Sequence, residues 1–210
     1  MAKLLAISNN LIQSLHQFGG IFFYAMDELI DILDADGRMT NRTAMKSEAH
    51  KNGWFHQTVH IWFYTLDGKV LLQQRGKNKD VYPLLWDVSV AGHIGAGENI
   101  ITSALREIKE EIGLTIQPEK LQKIGVFKSV HNHSQNLMDY EFHHTFLAPL
   151  HLSLHDLRKQ ESEVENLKLI PMDQFTKELG DISKFKYVPH EISYYNTITK
   201  EISKCLATSN

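Results

Sequence analysis

Three glutamates, Glu107, Glu110 and Glu111, stand at i, i+3 and i+4, so they share one face of any helix that holds them. Like charges at this spacing repel. Two of the three also fall in the last turn, where the helix dipole is already negative. A helix built for stability alone would carry lysine there. Local rules broken on this scale mark functional sites. The chemistry that suits the pattern is oxygen ligation of a hard divalent cation, Mg²⁺ where phosphates are handled, with Mn²⁺ as the alternative. The bland reading is a solvated acidic helix face. Against it stand Gly92, Glu98, Arg106 and Gly113, which complete a stretch of defined residue types at fixed spacing, GHIGAGENIITSALREIKEEIGL. Seven such matches arise by chance about once in 10^8 starting points at ordinary residue frequencies, which removes coincidence as an explanation.

The elements that must position these groups are written around them. Asn99 is a helix cap, and Gly113 is a natural stop just past the helix end. Between them Ile101, Ala104, Leu105, Ile108 and Ile112 recur at helical spacing and form one apolar stripe. Upstream, Leu29–Leu33 alternates as a strand and ends in the turn signal Asp34-Ala35-Asp36-Gly37. The polar stretch that follows, up to Gly53, carries Arg42, Glu48 and His50 and no assigned element. Residues 59–64 and 69–73 flank Leu66-Asp67-Gly68 as a hairpin, and residues 87–90 form a short strand leading into the acidic stretch. The loop 75–86 holds Arg75, Lys77 and Lys79, cations able to grip a diphosphate, although charge alone also fits a solvated basic loop.

Downstream, residues 123–129 and 140–147 read as strands around a polar loop, HNHSQN, in which His131 and His133 are expected to be exposed. His143 and His144 alternate in direction, so at most one of them faces a site. His60 reads as a core or edge residue of its strand. A strand over 167–170 and helices over 173–179 and 191–206 complete the chain. Tyr82, Trp86, Phe127 and Tyr140 are candidates to stack on a base, or to fill the core.

The chain has 210 residues, enough for one sizeable domain, with 42% hydrophobic and 22% charged residues. A net charge of −3 argues against a nonspecific nucleic-acid binder. One cysteine, Cys205, excludes an internal disulfide and fits a reducing cytoplasm. No apolar run approaches the roughly 20 residues of a membrane span, and no secretory signal is legible. Residues 1–25 read as a separable N-terminal extension, with Leu4, Leu11, Ile12 and Leu15 at helical spacing. Two origins stay open for it: a prefix ahead of a start at Met26, or a helix that docks on the domain.

The stretch around Glu107 resembles the signature of the Nudix hydrolases at every defined position: glycine, five residues, glutamate, seven residues, then R-E-aliphatic-x-E-E-x-G-aliphatic. The resemblance implies an α/β fold, an α/β/α sandwich around a mixed central sheet, with residues 26–210 as a single domain and the signature as a loop–helix–loop. It implies that Glu107, Glu110 and Glu111 bind the metal with the Gly92 carbonyl as a further ligand, while Arg106 and Glu98 hold the helix and its glutamates in place. It also implies a small-molecule diphosphate as the partner, and leaves a homodimer open.

Over about residues 27–147 the chain is similar to the branch shared by type I isopentenyl-diphosphate isomerases and their hydrolase relatives. His56, His60, Trp62, Gly68, Leu72 and Arg75 carry this resemblance, with Pro83, Trp86, Ala91, Gly92, His93, Gly97 and Glu98 after them. In those isomerases histidines and acidic residues hold a metal. Carried over, His56 and His93 match two histidine ligands, Asp139 and Glu141 match two glutamates, and His50 lies one residue out of register with a third histidine. Arg75 and Lys79 match residues that contact the substrate diphosphate. The decisive departure is Ala91, where the isomerases carry a cysteine that takes part in proton transfer; alanine cannot do that work. Cys205, in a terminal helix, is a poor substitute. Hydrolysis is therefore expected over isomerisation, with a general base from Glu110 or Glu111, or from Glu163 or Glu161 in a later loop. A catalytically silent nucleotide-binding module is the third alternative.

Overall fold

The structure, a computed structural model, describes residues 27–180 and 186–208. The expected N-terminal extension, residues 1–25, lies outside the described residues. The first described strand, Leu29–Leu33 (β1), turns at Asp34–Gly37, where Gly37 adopts a φ of 82° that its lack of a Cβ permits. It pairs antiparallel with Met39–Met45 (β2), which leads into a short helix, Lys46–Asn52 (α1). Neither β2 nor α1 is visible in the sequence. Six of the seven β2 side chains are at least partly exposed, and α1 buries only Ala49. Both lack the apolar periodicity that marks an element.

The main sheet is built on His56–Tyr64 (β3) and Lys69–Arg75 (β4). Trp86–Asp87 (β5), Val90–His93 (β6), Gln122–Ser134 (β7), Leu137–Pro149 (β8) and Val164–Pro171 (β9) complete it. The strand order is β5-β4-β3-β8-β7, with β6 also paired to β3 and β9 to β4. The β3–β8 pair is parallel and the other pairs are antiparallel, so the sheet is mixed.

β3 is apolar on both faces because both are covered. Val59, Ile61 and Phe63 face the helix Ile100–Ile112 (α2), meeting Ala104, Ile108 and Ile112. Trp62 and Tyr64 face the helices Met172–Leu179 (α3) and Ile192–Thr208 (α4), meeting Phe175, Tyr194, Tyr195, Ile198 and Ile202. Each fully buried side chain of this kind contributes roughly 1.5–3 kcal/mol by leaving water. The result is the expected three-layer α/β/α arrangement.

Two strand expectations need correction. The stretch 87–90 is two strands, not one. The chain breaks at Ser89, whose hydroxyl accepts from the Phe63 amide (2.8 Å) and donates to the Leu71 carbonyl (2.5 Å). The polar segment HNHSQN is mostly strand rather than loop, with the β7–β8 ladder running to Ser134 opposite Leu137. His131 and His133 are accordingly half-buried and not exposed. The run reads as loop because one of its faces meets solvent and the other a polar cavity, so neither face is apolar.

Candidate active site

Helix α2 starts and stops where Asn99 and Gly113 place it. The Asn99 side chain accepts from the amides of Ile101 (2.9 Å) and Thr102 (3.4 Å), and Gly113 closes the helix in the left-handed region. Its C-terminal half lies against β6. Gly92 is paired with Val59 in the ladder, and this fixes its backbone against the Glu107 carboxylate. A Cβ at position 92 would overlap that carboxylate, so only glycine permits the approach.

Arg106 organises the acidic cluster. Its guanidinium donates to Glu98 (3.0 and 3.1 Å), Glu107 (2.6 Å), Glu110 (3.0 Å) and the carbonyl of His93 (3.0 Å). Glu98 is held in turn by Ser103 and the Gly95 amide. These contacts suit the holding role expected of Arg106 and Glu98. Glu111 accepts from the Ala91 amide and from Gln73, both at 3.1 Å. Burial pushes the Glu107 carboxyl up to about 7, with Arg106 opposing, and pushes Glu111 up to about 8, with Glu107 adding repulsion. Of the two buried carboxylates only Glu107 meets a guanidinium, while Glu111 has neutral hydrogen-bond partners, so the pair is short of positive charge. Their hard oxygen donors fit a divalent cation, and the third carboxylate, Glu110, is exposed on the same helix face and held by Arg106 at 3.0 Å.

A second cluster forms beside the first. One ligand atom from each of His50, His56, His93 and Glu141 lies within 4.8 Å of the others. Sheet register assembles three of them: β3 sets His56 beside Glu141 in parallel, and Thr58 opposite His93 in antiparallel. Helix α1 delivers His50, which the sequence leaves one residue out of register because a helix, not a strand, positions it. His50 Nε2 lies 3.3 Å from His56 Nε2 and 3.4 Å from His93 Nε2. The Trp54 carbonyl takes the Nδ1 proton of His56 at 3.0 Å, which turns Nε2 towards the cluster, the usual posture of a ligating histidine. Burial disfavours charge on His56, but Glu141 outweighs it and the pKa is raised; burial and His56 together lower His93. Convergent ring nitrogens around a carboxylate fit a cation. Asp139 stands behind this set, 3.7 Å from His50 Nδ1 and 3.0 Å from His133.

Both clusters open on one cavity of about 310 Å³. Arg75 and Lys79 line it. Arg75 is braced by Asp87 (3.2 Å) and the Val81 carbonyl (3.0 Å), and Lys79 pairs with Glu163. Glu163 thus faces the cavity. Glu161 does not: it is 79% exposed and pairs with Lys159, which removes it as a base. Of the four aromatic candidates, only Tyr82 lines the cavity. Trp86 is covered by Lys168, Phe127 packs on Tyr194, and Tyr140 packs on Phe55. His143 faces the cavity, while His144 points away and bonds Gln57 (2.7 Å). The sequence misses His190, which pairs with buried Asp87 at 2.9 Å, and the placement of His60 at the cavity floor.

Residues 54–190 match the family model described as NUDIX domain. The chain belongs to the Nudix family. It is 33% identical over 177 residues to Nudix hydrolase 3 of Arabidopsis thaliana, covering 83% of this chain; it spans only 21% of that protein. A Clostridium acetobutylicum protein described as an uncharacterized Nudix hydrolase is 30% identical over 203 residues, covering 84% of this chain and 97% of that one. The isopentenyl-diphosphate Delta-isomerase of Serratia proteamaculans is 30% identical over 123 residues, 59% of this chain and 66% of the isomerase. Among crystal structures, DR0079 from Deinococcus radiodurans has a TM-score of 0.58 at 13% identity, over 76% of this chain and 92% of that one. A bifunctional NMN adenylyltransferase/ADP ribose pyrophosphatase from Francisella tularensis, complexed with AMP and a manganese ion, has a TM-score of 0.53 at 19% identity, over 71% and 41%. The two structures share the Nudix fold. The relatives place this Nudix chain beside Nudix hydrolases, on the branch that includes the isopentenyl-diphosphate isomerases. No helix of the described residues is long and apolar enough to cross a membrane.

Proposed function

We propose that this Nudix protein is a Mg²⁺-dependent hydrolase, with Mn²⁺ as an alternative ion, that cleaves a diphosphate linkage in a nucleoside diphosphate derivative or similar small molecule. The observation that carries the reading is the pair of buried carboxylates, Glu107 set against Gly92 and Glu111 against the Ala91 amide, in the same cavity as Arg75 and Lys79. Glu107, Glu110 and Glu111, with the backbone of Gly92, would hold the ion. When bound, a divalent cation neutralises phosphate charge and acidifies neighbouring water. His50, His56, His93 and Glu141 hold a second divalent ion, and their mixed imidazole and carboxylate donors suit a transition metal better than Mg²⁺.

The chain's own groups do the rest. Arg106 and Glu98 fix the direction of the α2 carboxylates. Arg75, held rigid by Asp87, and Lys79 orient the non-reacting phosphate oxygens. Water is deprotonated by a carboxylate that faces the cavity and is not locked to the backbone. Glu110 and Glu163 meet that condition, while Glu111 is tied to the Ala91 amide. Substrate phosphate competes with Glu163 for Lys79, which releases Glu163 for the proton.

One observation favours isomerisation, the intact cluster around His56. Position 91 opposes it, because Ala91 faces the cavity with no ionisable group. Cys205 cannot replace it from α4, where its sulfur lies 3.3 Å from Gln122 and outside the cavity lining. A phosphate-release assay with Mg²⁺ over nucleoside di- and triphosphates, ADP-ribose, dinucleotides and isopentenyl diphosphate tests the proposal. Selective hydrolysis of one class supports it, and double-bond migration in isopentenyl diphosphate overturns it. Ligand binding without turnover of any compound would favour a silent binding module instead.

A further inference from the structure

Behind the two clusters, the deep end of the cavity is lined by histidines that the proposed chemistry does not use. His60 and His143 stack with ring centroids 4.0 Å apart, and His190 lies edge-on to both, at 5.4 and 5.9 Å. A hydrogen-bond chain behind them engages one ring nitrogen of His60. Trp62 Nε1 can only donate, and it donates to the Tyr194 hydroxyl (2.8 Å). That hydroxyl also lies 2.8 Å from His60 Nδ1, which engages Nδ1 in either tautomer and leaves Nε2 as the ring nitrogen with no partner among the described residues. His143 Nδ1 is paired with Thr58 (2.8 Å), and its Nε2 is buried with no hydrogen-bond partner among the described residues.

Two ring nitrogens on residues that line a cavity, neither with a protein partner among the described residues, call for a ligand group that can hydrogen-bond them. A hydroxyl does so whichever tautomer His143 adopts, because it both donates and accepts. A hydrocarbon leaves both unsatisfied. We propose that His60 and His143, braced by Tyr194, Thr58 and His190, form a specificity subsite for a hydroxyl on the organic group attached to the diphosphate, so that hydroxylated diphosphates are selected over alkyl and alkenyl ones. The inference rests on the diphosphate reading above and narrows its substrate class. Ala91 is compatible with it: position 91 pairs with His60 across the ladder and lines the same cavity with a side chain no larger than a methyl group.

The test uses the full-length protein with butyl diphosphate and its 2-, 3- and 4-hydroxy derivatives. Binding is measured by calorimetry on the methylene-bridged analogues, which cannot be hydrolysed, and turnover on the diphosphates. At least one hydroxy isomer should exceed the butyl compound by about 10- to 100-fold in binding and in kcat/KM, the usual consequence of leaving buried polar groups unpaired. In His143→Phe the ratio should fall to near unity, and in His143→Gln, which keeps a polar group there, it should survive in part. A butyl compound equal to every hydroxy isomer, binding of none of the analogues, or an unchanged ratio in folded His143→Phe would overturn the subsite. A hydroxyl preference in binding without any turnover would instead overturn the hydrolase reading and leave the subsite standing. Turnover with no hydroxyl preference would do the reverse.

Discussion

The backbone of Gly92 and the carboxylate of Glu107 occupy adjoining space with no room for a methyl group between them. Sheet and signature helix are locked together at this point. Gly92→Ala should therefore cost about 1–3 kcal/mol of stability, the range for overpacking a filled site, and should abolish hydrolysis by displacing Glu107. Urea unfolding and a phosphate-release assay on the same preparation check both parts. A variant with native stability and rate would show that the approach is looser than described.

Glu111→Gln should reduce turnover at least about 100-fold, because it removes a charged ligand of the proposed ion. The fold should survive, because Gln keeps the shape and can still accept from the Ala91 amide. Added Mg²⁺ should raise the melting temperature of the wild type and leave this variant unmoved, since an ion that binds only the native state stabilises it by mass action. Circular dichroism melts with and without the ion decide.

The proposed glutamate site and the histidine cluster, both on one cavity, predict two ions per chain. Elemental analysis after equilibration with Mn²⁺ should count two in the wild type and one in His56→Ala. His50→Ala should behave like His56→Ala, because the two imidazoles converge at 3.3 Å. A wild-type count of one would remove the histidine cluster as a metal site.

Lys79→Ala should raise KM about tenfold with a smaller effect on kcat, the pattern of lost uniform binding. Glu163→Gln separates the two candidate bases. A large fall in kcat would assign the proton to Glu163, and a near-normal kcat would leave it with Glu110.

His144 gives a pH dependence with a defined sign. Burial pushes its pKa down to about 4 in the fold, from an ordinary value of 6.5. Between those values the unfolded chain binds more protons, so stability is full above pH 6.5 and is lost as pH falls towards 4. By pH 5 the loss from this residue is roughly 2 kcal/mol. His144→Gln should show a shallower fall in unfolding free energy between pH 7 and pH 5. Parallel curves for the two proteins would remove His144 as a contributor.

The legible parts of this chain are those in which local chemistry and tertiary role agree. Asn99 and Gly113 bound α2 because capping is a local matter, and residues 59–64 declare a strand because both their faces are covered. What the sequence conceals follows from the cavity. β7 and β8 run past their expected ends because His131 and Asp139 turn inward to a polar space, which leaves no apolar alternation to read. His50 escapes register counting because α1 carries it, and α1 buries a single residue. Glu161 and Glu163 look alike in sequence, and only the pairing of Lys79 with the second separates them. His190 lies in a segment without periodicity, and its role depends on Asp87, 103 residues earlier.

The contact between His60 and Tyr194 joins residues 134 apart, and that between Thr58 and His143 joins residues 85 apart. During synthesis the signature helix emerges whole, with its cap, its stop and its strand of attachment, well before the cavity has a floor. Tyr194 lies on α4, so the proposed hydroxyl subsite is complete only once the terminal helix has packed against the sheet.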